Sequence, residues 1–231
     1  MHVLLRADAS LTQGTGHVMR CLTLSEALID SGHRVTLLTN YSEIPWLEAR
    51  IAASGVAVQR TEAHALKLET VLDLAPDWAV VDSYAIPAED ISLLNEHLKV
   101  MAIVDGDSRG IDAELYLDHN LGAENLAWPG TVRSKLLAGS DYALIRDAIL
   151  DVRREKPWVW PAAAPRLLAV MGGSDPFGAI TVAAEAIASL DPAFIATIIA
   201  APEWQPQVAA LFEGSENVNV LPPTPDLPRL L

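Results

Sequence analysis

The stretch Val3-Leu4-Leu5-Arg6-Ala7-Asp8-Ala9-Ser10-Leu11-Thr12-Gln13-Gly14-Thr15-Gly16-His17-Val18-Met19-Arg20-Cys21-Leu22 holds the first complete strand–loop–helix unit of the chain. Val3–Arg6 is a short apolar run of strand length, and a glycine-bearing loop follows it. Val18, Cys21, Leu22, Ser25, Leu28 and Ile29 then recur at i, i+3, i+4 and i+7 spacing. That period predicts a helix from about His17 to Ser31 with those residues as its inward stripe, and Gly32 stands where such a helix stops.

The same alternation continues outward. Strands are expected at Val35–Thr39, Val56–Arg60, Trp78–Asp82, Val100–Asp105 and Leu115–Asp118, the middle three as buried strands. Val80-Val81 and Ile103-Val104 are unbroken apolar pairs, as in strands covered on both faces. Helices are expected at Ile44–Ser54, Ala65–Leu74 and Ala88–Leu98, and Leu136-Leu137 leads into Gly139-Ser140-Asp141-Tyr142. The run Lys156-Pro157-Trp158-Val159-Trp160-Pro161-Ala162-Ala163-Ala164-Pro165 is too rich in proline for regular structure. It divides the chain into an α/β domain over 1–155, a linker over 156–165 and a second α/β domain over 166–231. In the second domain, strands at Arg166–Val170, Phe194–Ala200 and Val218–Leu221 alternate with helices at Ala179–Leu190 and Gln205–Phe212, and Pro222–Pro228 carries no element. One βαβ half is present where an open α/β domain usually has two, so the second domain is expected to be incomplete.

The 231 residues carry 16 Lys+Arg against 30 Asp+Glu, a formal charge of −14. Nucleic-acid binding draws most of its affinity from cations set against phosphates, so nucleic acid is not an expected partner, nor is an anionic membrane surface. A small anionic ligand is compatible with this charge, because backbone amides and a few arginines can hold one locally. Cys21 is the single cysteine, which excludes an intrachain disulfide framework and a zinc ribbon and fits a reducing compartment. No stretch approaches the roughly 20 uninterrupted apolar residues of a membrane helix, and the N-terminal run is too short for a signal peptide, so a soluble, cytoplasmic chain is expected.

Gly14 and Gly16 allow close approach of backbone amides to a ligand, and the helix that follows adds unpaired N–H groups. Met19 stands where a dinucleotide fingerprint needs its third glycine, and Thr39-Asn40-Tyr41 offers no acid for a ribose, which argues against NAD. At a helix start, the dipole favours the neutral imidazole of His17, the form a general base needs; a plain loop-capping role is the alternative. Asp82, Asp105 and Asp118 end strands, where parallel sheets bind ligands, or simply cap the turns there. No recognisable spacing supports a metal. Gly172-Gly173-Ser174-Asp175 repeats the strand–glycine–helix arrangement, either as a phosphate loop or as a turn with an N-cap ahead of Pro176. Two such loops in two α/β domains suggest a cleft between them. Trp128, in a loop, is a candidate lid, while Cys21 and the remaining tryptophans read as packing residues.

The runs Arg6-Ala7-Asp8-Ala9-Ser10 and Gly14-Thr15-Gly16-His17-Val18-Met19-Arg20-Cys21-Leu22 resemble the PseG/SpsG group of UDP-sugar hydrolases of the pseudaminic-acid pathway, relatives of MurG-type GT-B glycosyltransferases. Asp82-Ser83-Tyr84, Ile103-Val104-Asp105, Gly139-Ser140-Asp141-Tyr142-Ala143-Leu144-Ile145-Arg146 and Gly172-Gly173-Ser174-Asp175 match further family stretches in the same order. The resemblance implies a GT-B-like fold with a Rossmann-type N-terminal domain. It implies metal-independent, cofactor-free hydrolysis of UDP-2,4-diacetamido-2,4,6-trideoxy-β-L-altropyranose at its anomeric C–O bond, with inversion. The family's histidine base falls on His17. Gly14, Gly16, Arg20, Asp82, Tyr84, Asp105, Gly173, Ser174 and Asp175 would contact the UDP-sugar. The chain departs from the family at Gly106, which replaces the second of two aspartates, and at its end, since the family's C-terminal domain continues beyond Leu231 with motifs that hold uridine and diphosphate. A GT-B glycosyltransferase using an acceptor sugar, and a non-catalytic fragment that binds a nucleotide sugar, are the alternatives.

Overall fold

The computed structural model describes residues 1–41, 44–153, 159, 164–191, 193–224 and 227–230. The greater part of the 156–165 linker lies outside the described residues. The chain divides into two compact units, one of Met1–Ser10 with Gly16–Ile145, the other of Leu11–Thr15 with Arg146–Leu231.

The first unit is built on strands β1 (His2–Ala7), β2 (Arg34–Thr39), β3 (Ala57–Arg60), β4 (Trp78–Asp82), β5 (Lys99–Ile103), β6 (Leu115–Asp118) and β7 (Leu136–Ala138). They form one parallel sheet in the order β3-β2-β1-β4-β5-β6-β7. Helices α1 (Gly16–Asp30), α2 (Pro45–Ala53), α3 (Leu68–Asp73), α4 (Ala88–Asn95) and the single turn α5 (Gly130–Arg133) connect them. Side chains alternate across the sheet and build a core on each face. Val3, Leu5 and Ala7 of β1 pack with Val18, Cys21 and Leu22 of α1 and Leu47 and Ile51 of α2. Leu4 of the same strand joins Val71, Ile91, Leu94, Ala102 and Tyr116 on the other face.

Helix α1 buries Val18, Cys21, Leu22 and Ser25 as its period predicts, with Leu28 and Ile29 partly buried against the same core. Its end is a Schellman turn: Gly32 N–H donates to Ile29 O at 2.8 Å and His33 N–H to Leu28 O at 3.0 Å, with Gly32 at φ 80°. A Cβ at Gly32 would meet nothing within 4 Å, so Gly32→Ala carries only the backbone cost of a left-handed residue. It is expected to lower unfolding stability by about 1–2 kcal/mol, measurable by urea denaturation.

The structure departs from the sequence expectation at two places. Val56–Arg60 reads as a buried strand, yet all four residues of β3 are exposed, because β3 is the outermost strand and pairs only with β2. Apolar composition does not separate an edge strand from a covered one. Pro222–Pro228 reads as structureless, whereas a single helical turn, α9, occupies Leu227–Leu230.

The second unit holds a three-stranded parallel sheet of β8 (Arg166–Val170), β9 (Ile195–Ile199) and β10 (Val218–Leu221) in the order β10-β9-β8. Helices α7 (Ala179–Ala188) and α8 (Gln205–Ala210) cross between the strands, and the short turn α6 (Asp147–Leu150) precedes them. Ile180, Ala184, Ile198, Ala200, Val208 and Phe212 form its core. Among the described residues, no helix is long and apolar enough to cross a membrane.

Candidate functional site

The strand order reverses direction between β1 and β4, and both strands end at the same level: Ala7 pairs with Asp82. In open parallel sheets a ligand crevice forms beyond the carboxyl ends at such a switch point. There α1 starts at Gly16, which places His17 in its first turn, while Asp82 is the last residue of β4. His17 Nδ1 lies 2.7 Å from Asp82 Oδ1, and both side chains are buried. One helical turn on, Arg20 donates from Nε to Asp82 Oδ2 and from Nη2 to Oδ1, a bidentate pair.

The partners fix the histidine tautomer. A carboxylate only accepts, so the short contact requires the proton on Nδ1. Arg20 Nη2 also lies 3.0 Å from Nδ1, but two donors cannot bond each other, and Arg20 is satisfied by Asp82. In the neutral ring the lone pair is therefore on Nε2, which has no hydrogen-bond partner among the described residues. Burial pushes the Asp82 carboxyl up, but the hydrogen bonds from Arg20 and His17 and the Arg20 charge outweigh it and hold Asp82 below the usual carboxylate range. Asp82 thus stays ionised, and Arg20 is held more firmly protonated by it despite its own burial.

Tyr84 stands against His17 edge to face, ring centres 4.9 Å apart, and its hydroxyl donates to Asp105 Oδ2 at 3.0 Å. Burial, with the Asp105 bond, pushes the phenol up, so Tyr84 is a donor. Asn120 Nδ2 donates to Asp105 Oδ1 and to Asp118 Oδ1, 2.8 Å each, and Asp118 Oδ2 accepts the Gly106 N–H at 2.8 Å. His119 completes the wall: Nε2 is 3.4 Å from Arg20 Nη1 and Nδ1 accepts from Leu144 N–H at 3.3 Å. Burial, then the Arg20 charge, holds this imidazole below its ordinary value, so His119 is neutral near pH 7.

Of the residues singled out in the sequence, His17, Arg20, Asp82, Tyr84 and Asp105 thus come together beyond β1, β4 and β5, with Gly16 opening α1. Arg20's main partner is Asp82. Gly14, at φ 89°, belongs to the Leu11–Thr15 segment of the second unit, where a Cβ on it would lie 3.7 Å from Ser174 Oγ. In the loop after β8, Ser174 is buried and Gly173 partly so. Both Asp175 carboxylate oxygens accept N–H groups at the start of α7, from Ala179 and Ile180 at 2.9 Å. Trp128 is no free lid, since its indole donates to Ala123 O at 3.1 Å and its ring packs on the core. Asn120 and His119 were legible only as neighbours of a strand-ending aspartate.

No family model and no curated protein matches this chain. Solved structures do. The spinosyn rhamnosyltransferase SpnG aligns over 99% of this chain and 72% of its own, with TM-score 0.63 and 20% identity. MurG of Acinetobacter baumannii aligns over 99% and 68%, with TM-score 0.56 and 12% identity. The UDP-GlcNAc 2-epimerase of Neisseria meningitidis, solved bound to UDP-GlcNAc, aligns over 100% and 74%, with TM-score 0.53 and 11% identity. The chain has the α/β architecture of GT-B-type enzymes, a Rossmann-type parallel sheet followed by a second, smaller α/β unit.

Proposed function

We propose that this protein hydrolyses a UDP-linked sugar at the anomeric C–O bond, with His17 as general base and Asp82 as the group that positions it. The observation that carries this reading is the His17–Asp82 pair at the switch point between β1 and β4. His17 Nε2 takes a proton from water as the water oxygen bonds to the anomeric carbon. The C–O bond to the diphosphate breaks on the opposite face, UDP leaves with that electron pair, and the sugar is released with inversion. The imidazolium that forms is balanced by the ionised Asp82 carboxylate. Tyr84 and Asp105 line the sugar pocket, and the helix-start amides at Gly16 face the leaving group. In the second unit, the loop amides of Gly14 and Gly173 and the Ser174 hydroxyl are a candidate anion site by themselves, with Asp175 ordering the loop after β8.

The PseG/SpsG resemblance supports hydrolysis and a diacetamido-trideoxy sugar of the pseudaminic-acid type. The structural neighbour named a UDP-GlcNAc 2-epimerase and solved bound to UDP-GlcNAc supports the nucleotide half of the substrate. Another neighbour is named a rhamnosyltransferase, which favours transfer to an acceptor as the second reading. The deciding measurement is UDP release from the diacetamido UDP-sugar with and without added sugar acceptors. Release in water alone, unchanged by acceptors, is the expected result; release that needs an acceptor establishes transfer and overturns hydrolysis.

A further inference from the structure

Arg109 takes no part in the chemistry described above. It sits in the turn after β5, where Gly106, Arg109 and Gly110 have φ of 71°, 53° and 74°. A left-handed backbone is uncommon for a residue with a long side chain. Arg109 N–H donates to Asp107 Oδ1 at 3.1 Å, and Ile111 N–H to Ser108 O at 3.0 Å, which closes the turn. The turn delivers the guanidinium to Tyr84, its central carbon 5.5 Å from the ring centre. That same ring meets His17, so Arg109 stands one aromatic ring away from the base.

Among the described residues the guanidinium has no carboxylate partner. Its Nε is buried with no hydrogen-bond partner among the described residues. Arg6, Arg20 and Arg50, by contrast, each hold a carboxylate. A guanidinium has five donors, no acceptor and a permanent charge, and a buried donor left unmade is costly. Beside it, the Tyr84 side chain is half exposed.

We propose that Arg109 is a specificity residue of the sugar pocket. It binds an oxygen acceptor carried by the sugar, either a carboxylate or the carbonyl oxygen of an acyl substituent, while the sugar lies against Tyr84. The inference rests on the nucleotide-sugar reading above and narrows it to sugars bearing such an oxygen. A site built to hydrogen-bond a substituent rejects the analogue that lacks it, because its donors are then left unpaired.

The test is calorimetric titration of the wild-type protein and of Arg109→Met with UDP-glucuronic acid, UDP-N-acetylglucosamine and UDP-glucose. The wild type is expected to bind one of the first two about tenfold more tightly than UDP-glucose, and Arg109→Met to level that preference. Preference for the uronic acid identifies a carboxylate, and preference for the N-acetyl sugar an acyl carbonyl. Arg109→Lys should keep part of the preference for a carboxylate, since a point charge survives without the fork. Equal affinities in the wild type, or a preference that survives in a folded Arg109→Met protein, overturn the proposal. Affinity is read without turnover, so tight, Arg109-dependent binding together with no UDP release from the diacetamido UDP-sugar would remove the hydrolase reading and leave this one standing. Absence of any UDP-sugar binding would remove both.

Discussion

Replacing His17 by alanine is expected to slow UDP release about 10²–10⁴-fold, the usual worth of a positioned general base. The protein should remain folded, because Asp82 keeps both of its bonds from Arg20 and no buried charge is left alone. On the proposed reading the imidazole meets the attacking water rather than the nucleotide, so the loss should fall on kcat more than on KM. Asp82→Asn is expected to act in the same direction by another route. A carboxamide can present N–H to Nδ1, which draws the proton onto Nε2 and removes the lone pair that the reaction needs. Steady-state UDP release with unfolding midpoints of both variants checks this. A folded His17→Ala protein that keeps near wild-type turnover removes His17 as the base.

The second large effect concerns stability and lies on the other side of β1. Arg6 is fully buried within the sheet and holds Asp8 through two nitrogens. Asp8 also accepts the backbone N–H of Asn40 at 2.7 Å and of His64 at 2.8 Å, while Arg6 Nε donates to Ala65 O at 2.9 Å. One ion pair thus fastens the loops that leave β1, β2 and β3. Asp8→Ala strands a buried guanidinium and two N–H groups, and is expected to cost about 3–5 kcal/mol in urea unfolding. Pairing it with Arg6→Leu should recover only part of the loss, because the two backbone donors stay unpaired. A loss below about 1 kcal/mol for Asp8→Ala would show the pair to be dispensable.

The same pair has a pH signature. Burial raises the Asp8 carboxyl, but the Arg6 and backbone hydrogen bonds with the Arg6 charge lower it further, so its folded value lies below the unfolded one. Its contribution is therefore complete above the unfolded value, near 3.9, and is lost as pH falls through the folded value. In Asp8→Ala that acid-limb increment of stability should be missing.

Much of this architecture was legible in the residues. The strand–helix alternation and the inward stripe of α1 follow from spacing alone, and a glycine loop before a histidine marked one edge of the candidate site. What spacing could not supply is who meets whom across the sheet. Asp82, Asp105 and Asp118 look alike as strand-ending acids, yet one anchors Arg20 and His17 while the other two are joined through Asn120. Arg6 reads as a charge closing an apolar run, and only the pairing of β1 with both β2 and β4 reveals why it is buried. Arg109 was missed for the same reason: a turn between two strands gives no hint of the ring it reaches.

The partners His17 and Asp82 are 65 residues apart and are joined by no local element. They meet only once β4 has docked beside β1, which requires closure of a long loop that contains two other strands. No helix or hairpin that forms early can assemble this pair, so a partly ordered chain holds His17 without the carboxylate of Asp82 beside it. In refolding, regain of turnover should therefore coincide with completion of the central sheet rather than with the rise of helical signal.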